Sequence, residues 1–203
     1  MAHSPGVSLF VDPHSEPGGA ARQAFWLRPP QEVAADLIGW VLLVDGVGGR
    51  IVETEGYGPI DPASLSFIGS TRRNAAMFGP GGHAYIYRSY GLHWCVNAVT
   101  GSEGEGAAVL IRALEPTHGV EIMAARRGGM DARALCSGPG RLTQALAVSD
   151  AHNGAPLHSK PFALIPGRRQ GLLSGPRIGI SKGVETPWRF GEAGSGFLSR
   201  RFG

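Results

Sequence analysis

Residues 51–58 read Ile-Val-Glu-Thr-Glu-Gly-Tyr-Gly, and no other stretch restricts the fold as much. Ile, Val and Thr favour the pleated backbone and the glycines close the run, which predicts a β-strand. Side chains alternate along a strand, so Ile51, Glu53, Glu55 and Tyr57 are expected on one face, with Val52 and Thr54 on the other. Two carboxylates and a phenol on so apolar a strand are costly to bury without partners. The fold must therefore bring a cation to this face.

A second apolar strand, Ala107-Ala108-Val109-Leu110-Ile111-Arg112-Ala113-Leu114, carries one. A buried arginine stays charged and needs a carboxylate beside it, and Glu53 or Glu55 is the obvious partner. Such a group can be purely structural, because perturbed carboxylates mark functional sites only as a tendency. Two glutamates for one arginine tilt the reading toward function. If one is neutralised, the other is free to orient water.

At 203 residues the chain is read as one domain with a single good core. Its 42% hydrophobic and 17% charged residues fit a globular protein. The 32 glycines and 15 prolines point to many turns, and so to strands more than long helices. Of 19 basic residues only Lys160 and Lys182 are lysines. Arginine suits bidentate contacts with phosphate, which makes a nucleic-acid partner plausible, although codon bias gives the same excess. Cys95 and Cys136 stand apart, without zinc-type or disulfide spacing. No signal peptide or apolar run of roughly 20 residues is seen, so no membrane is expected, and a reducing cytoplasm is the expected location.

Residues 1–22 lack periodicity and are read as a loose tail ahead of a domain over 23–203. Pro30 starts a short helix over 31–38 that Gly39 ends. Strands at 40–44 and 50–57 flank the turn Asp45-Gly46 as a hairpin. A helical turn is expected at 74–78, with strands at about 83–88, 93–100 and 106–114. Pro116 is expected to open a helix to about Arg127, and a short helix spans 141–146. Short strands close the chain at 162–165, 176–180 and 187–191. This order predicts an α+β fold: a single compact domain with a curved, mostly antiparallel β-sheet flanked by short helices.

Other residues carry weaker signals. Tyr85 and Tyr87 share a face, and Tyr85 is expected in the core. Tyr90 stands beside Gly91 where a strand would turn, a weak sign of a stacking or wedge residue. Asn97 can serve buried backbone as readily as a ligand. The glycine-rich runs 78–82 and 137–141 could each offer N–H groups to phosphate, the second with Arg141 at a helix start. Neither is a P-loop or dinucleotide fingerprint, so no cofactor is expected. No metal-ligand spacing or nucleophile elbow is present. With two lysines outside any motif, water is the more economical nucleophile.

Together the segments IVETEGYGPIDPAS, TRRNAAMFGPGGHAYIYRSYGLHWCVNAV, AAVLIRALEP, LCSGPGRLTQAL, GPRIGIS and PWRF resemble the alkyladenine (3-methyladenine) DNA glycosylase family, collinearly from about residue 30 to 190. The resemblance implies base excision repair: a damaged purine is flipped from duplex DNA and its N-glycosidic bond is cleaved by water, without a metal or cofactor, by an enzyme taken to be a monomer. By position, Glu55 is implied as general base and Arg112 as the residue that helps hold Glu55 and the water. Tyr57 and Tyr87 are implied as walls of the base pocket, Tyr90 as the wedge, and Asn97 as the group that obstructs the guanine amine. DNA contacts are implied at Thr71, Arg72, Arg73, Met77, Tyr90, Leu92, His93 and Arg141, with Arg126 or Arg127 as a further phosphate contact.

Three positions depart from the family pattern. Leu65 stands where a histidine is usual beside the base, Arg72 where proline is usual, and Gly56 where alanine is common, the last expected to loosen the backbone beside Glu55. Leu65 and the arginine loop motivate a second reading, a non-catalytic binder of distorted or damaged DNA. A third, hydrolysis of free nucleosides, would need neither wedge nor arginine loop. Lesion preference among 3-methyladenine, 7-methylguanine, hypoxanthine and ethenoadenine rests on pocket shape.

Overall fold

The computed structural model describes residues 19–203. Among these, eight strands form one sheet: β1 (Val41–Val44), β2 (Val47–Tyr57), β3 (Ala84–Ser89), β4 (His93–Thr100), β5 (Ala107–His118), β6 (Phe162–Ile165), β7 (Leu172–Gly175) and β8 (Arg189–Glu192). Every pairing between them is antiparallel. The spatial order is β3-β4-β5-β2-β1-β6, with β8 also on β2 and β7 outside β8. β2 pairs with β1 through Arg50 and with β8 from Glu53 onward. This fork on one central strand curves the sheet, and the α+β expectation holds.

Helices α1 (Gly19–Trp26), α2 (Pro30–Asp36), α3 (Val120–Arg126), α4 (Ala132–Leu135) and α5 (Pro139–Ala145) are all short. Pro30 opens α2, where its missing N–H has no helical partner to lose. The helix buries Val33 and Ala34 against β2, and the Thr54 hydroxyl donates to the Ala34 carbonyl at 2.8 Å. The main core joins Val33, Leu37, Ile51, Val96, Val109, Ile111, Leu114 and Leu142. Each such side chain contributes about 1.5–3 kcal/mol on burial. A separate, smaller cluster of Met77, Tyr85, Val99 and Ala108 packs with Tyr57 and Tyr87.

Two β-bulges overturn the simple alternation. Ile51 faces Leu114, Glu53 faces Ala113 and Thr54 faces Ile111, so Val52 is an extra residue in β2 and Arg112 an extra residue in β5. Each bulge reverses the inward–outward pattern, and because they lie on opposite strands the register recovers. Ile51 consequently joins the main core instead of the face shared by Glu53 and Glu55.

Other expectations are corrected. Of the expected tail, residues 1–18 lie outside the described residues, and 19–22 belong to α1. Pro116 opens no helix: β5 runs on to His118, and α3 begins after Gly119 at φ +64°. β4 pairs only with residues 107–110, so a proline at 116 interrupts no ladder on that edge. Residues 176–180 form no strand, and β7 lies earlier, at 172–175. Gly56 is not loose. A Cβ there would lie 3.1 Å from the Gln31 nitrogen, its N–H donates to Trp188, and its carbonyl accepts from Arg177.

Candidate active site

Glu55 is fully buried, and three donors converge on its carboxylate. Oε2 accepts from the Tyr57 hydroxyl at 2.8 Å and from Arg112 Nη1 at 3.1 Å, while Oε1 accepts from the Ile178 N–H at 2.7 Å. Burial raises the Glu55 carboxyl above the ordinary 4.5, with Arg112, the Ile178 N–H and the Tyr57 hydroxyl opposing it. Burial first, and then the Glu55 charge, push the Tyr57 phenol far up, so it remains a donor. Ile178 belongs to the segment expected as a strand. Arg177 beside it is bonded to Asp61, Gly56 and Gly183, and Gly179 has φ +77°. These contacts fix a loop that points the Ile178 N–H at Glu55.

Glu53, the other acid, is fully buried and enclosed by donors. Oε1 accepts from Arg112 Nε (3.1 Å), Arg189 Nε (2.8 Å) and Ser199 Oγ (2.8 Å), and Oε2 accepts from the Ser199 N–H (2.5 Å). Arg112, on its bulge, bridges the two carboxylates. The sequence left open which glutamate pairs with Arg112; it pairs with both.

A cavity of about 970 Å³ opens beside this cluster. Its walls include Tyr57, Tyr87, Asn97, Leu110, Arg112, Leu65 and Ile178. Glu55 is not itself a wall, but its three hydrogen-bond partners are. Tyr87 stacks on Tyr85 at 5.5 Å and Asn97 donates to the Tyr85 carbonyl at 2.9 Å, so both are held by β3 and β4. Cys95, opposite Tyr87 in register, also lines the cavity, and burial pushes its thiol up to about 11. One face of Tyr57 is occupied by the Arg177 guanidinium, 4.7 Å from the ring centre.

At the rim, Tyr90 is 87% exposed. It heads the β3–β4 hairpin, where the Leu92 N–H donates to the Ser89 carbonyl at 2.9 Å. Tyr90 and Gly91 both have positive φ, +49° and +71°, the pattern of a type I′ turn. Glycine and asparagine usually fill such positions, so a tyrosine here is held at a local conformational cost. Exposed Arg72 and Arg73 lie in a loop organised by Asn74, whose side chain bonds Leu65, Gly69 and Thr71.

Fourteen residues were proposed from sequence. Tyr57, Leu65, Tyr87, Asn97, Thr71, Arg72, Arg73, Met77, Tyr90, His93 and Arg112 line this one cavity, Glu55 lies behind it, and Leu92 and Arg141 lie outside its walls. Met77 differs from an exposed DNA contact, being buried against Tyr85. Arg126 and Arg127 bond α5 and its neighbours through Ala145, Gln144 and Ala134. Glycines 81 and 82 press on Trp26, whereas Gly140 packs against the His93 ring. Sequence reasoning missed Ile178, Arg189, Ser199 and the Arg177–Asp61 pair. Only the carboxylates' excess over Arg112 hinted that further donors existed. Among the described residues no group of three or more His, Cys, Asp or Glu is placed to hold a metal ion.

Comparison with known proteins identifies the family. The family model described as Methylpurine-DNA glycosylase (MPG) matches residues 24–196. A Rhodopseudomonas palustris (strain HaA2) protein named as a 3-methyladenine DNA glycosylase is 60% identical over 188 residues, covering 91% of this chain and 92% of its own. Similarly named proteins of Nitrosospira multiformis and Rhizobium meliloti are 59% and 58% identical, covering 84% and 88% of this chain and 89% and 95% of theirs. The chain belongs to the methylpurine-DNA glycosylase family and is a DNA repair glycosylase.

Proposed function

We propose that this glycosylase everts alkylated or deaminated purine nucleotides from duplex DNA and hydrolyses their N-glycosidic bond with a water activated by Glu55. The supporting observation is the Glu55 carboxylate held by Tyr57, Arg112 and Ile178, all of which line the cavity. A carboxylate can accept about four hydrogen bonds. The three donors leave Oε1 with an unused acceptor position, and in this reading the attacking water reaches it from the cavity side, past the partners that line the wall. Water oxygen bonds to the anomeric carbon as the bond to the base nitrogen breaks and the base leaves with the electron pair. Glu55 takes the water's proton and stabilises the positive charge that develops on the sugar.

Extrusion costs a few kcal/mol of stacking and pairing. Tyr90, already exposed at the rim, fills the vacated place and offsets part of that cost. Arg72 and Arg73 grip phosphate without reading sequence. Arg177 covers one face of Tyr57 and Tyr85 one face of Tyr87, so each ring has its other face for a cationic alkylated base.

The reaction is monofunctional in this reading. Lys160 and Lys182 are exposed and neither lines the cavity, so no lysine amine is placed to attack the sugar. Incubation with methylated duplex DNA should generate alkali-labile sites, and borohydride should trap no protein–DNA adduct. Intact DNA would instead indicate a pure binder, and a trapped adduct would indicate lyase chemistry.

A further inference from the structure

The Glu53 site is completed from the far end of the sequence. Ser199 supplies both its N–H and its hydroxyl to Glu53, and Arg189 on β8 adds Nε. Arg189 is fixed in turn by segment 198–203. Its guanidinium lies over the Phe202 ring at 3.9 Å, and its Nη2 donates to the Arg200 carbonyl. Phe202 sits where a Cβ on Gly191 would lie 2.4 Å from its ring, so β8 has no side chain there and the aromatic ring fills the space.

Among the described residues Arg112 is the only group shared by the two acids. It gives Nε to Glu53 and Nη1 to Glu55. A buried carboxylate that lacks donors draws on whatever cation is near. If Glu53 lost Ser199 and Arg189, Arg112 would be the one donor left to it among the described residues, and the guanidinium would turn toward it and away from Glu55. We propose that segment 198–203 acts as a positioning strap: by saturating Glu53 through Ser199 and Arg189, it keeps Arg112 engaged with Glu55 and so sets the state of the carboxylate beside the cavity. Neither Ser199 nor Arg189 lines the cavity; their side chains reach Glu53, and Arg189 also faces Glu55 across the β2–β8 ladder, so both act on the carboxylate cluster and Ser199 reaches Glu55 through Arg112.

The inference rests on Glu55 being the base, and the test separates the two claims. Single-turnover base release from methylated duplex DNA would be followed from pH 5 to pH 8 for the full-length protein, Ser199→Ala, Ser199→Pro, Arg189→Lys, Ser195→Ala and Glu55→Gln. Ser199→Ala removes only the hydroxyl, while Ser199→Pro also removes the N–H. The acid limb should move upward by about half a pH unit in Ser199→Ala and about one in Ser199→Pro and Arg189→Lys, giving roughly 3-fold and 10-fold greater loss at pH 5 than at pH 8. Ser195→Ala, whose hydroxyl accepts from the Phe197 N–H and not from the Glu53 cluster, should keep the unaltered profile. An unmoved limb in folded Ser199→Ala, or losses equal at both pH values in all strap variants, would overturn the strap while leaving Glu55 in place. Undiminished release by Glu55→Gln would overturn the base assignment itself. Circular dichroism of each variant identifies the folded ones, and Ser199→Ala leaves Glu53 the Ser199 N–H, Arg189 and Arg112.

Discussion

The Tyr57 hydroxyl donates to Glu55 Oε2 at 2.8 Å, two residues along the same strand. A wall of the cavity is therefore bonded directly to the carboxylate behind it. The same hydrogen bond opposes the effect of burial on Glu55, so removing it has a defined consequence. Tyr57→Phe keeps the ring and its packing but loses the donor. The acid limb of base release should shift to higher pH, while duplex binding changes little. A limb at the original position would show that the phenol does not tune Glu55.

The acid limb of the unaltered protein is itself informative. Burial raises Glu55 above 4.5, and the base must be ionised to act. Activity should thus be lost on acidification at a pH above 4.5, measured as single-turnover release against pH. Replacing Arg112 by Gln should move the limb further up, because Arg112 is the strongest influence favouring the charged form. A limb below 4.5 would contradict this electrostatic picture.

Tyr90 exchanges stability for reach. Its φ of +49° is one that asparagine adopts more readily. Tyr90→Asn should stabilise the hairpin by roughly 0.5–1 kcal/mol in urea unfolding and yet slow base release, since the exposed ring is lost. Greater stability with undiminished release would remove the wedge role.

The Arg50–Glu192 pair joins β2 to the β8 side of the sheet, with contacts of 2.9 and 2.5 Å. Burial acts to raise the Glu192 carboxyl, but the Arg50 guanidinium and Gln170 N–H outweigh it, so the group lies below its ordinary 4.5. A depressed folded-state value stabilises the protein above that pH and is lost on acidification through the folded value. Glu192→Gln should cost about 2 kcal/mol at pH 7, and the gap to the unaltered protein should close as pH falls below 4.5. A gap independent of pH would assign the loss to packing instead of charge.

Local patterns carried most of the fold into the sequence. The hairpin of β1 and β2, strands β3 to β5 and helix α2 follow from apolar runs bounded by glycine and proline. So did the requirement that Arg112 meet the glutamates. The bulges at Val52 and Arg112 left no trace, because an extra residue alters parity without altering composition. Residues 176–180 look extended, but the Arg177–Asp61 pair and the Glu55 carboxylate override that propensity from more than 100 positions away. Ser199 and Arg189 were invisible for the same reason: they lie 146 and 136 positions from their partner Glu53.

The most direct test concerns the oxygen atoms of residue 55. Glu55→Gln preserves shape and most of the hydrogen bonding, but cannot accept a proton from water. Single-turnover base release and duplex binding should be measured on the same methylated DNA. Release should fall by about 10²-fold or more, in line with loss of a general base, with binding retained. Release at the original rate, with binding intact, would contradict the account.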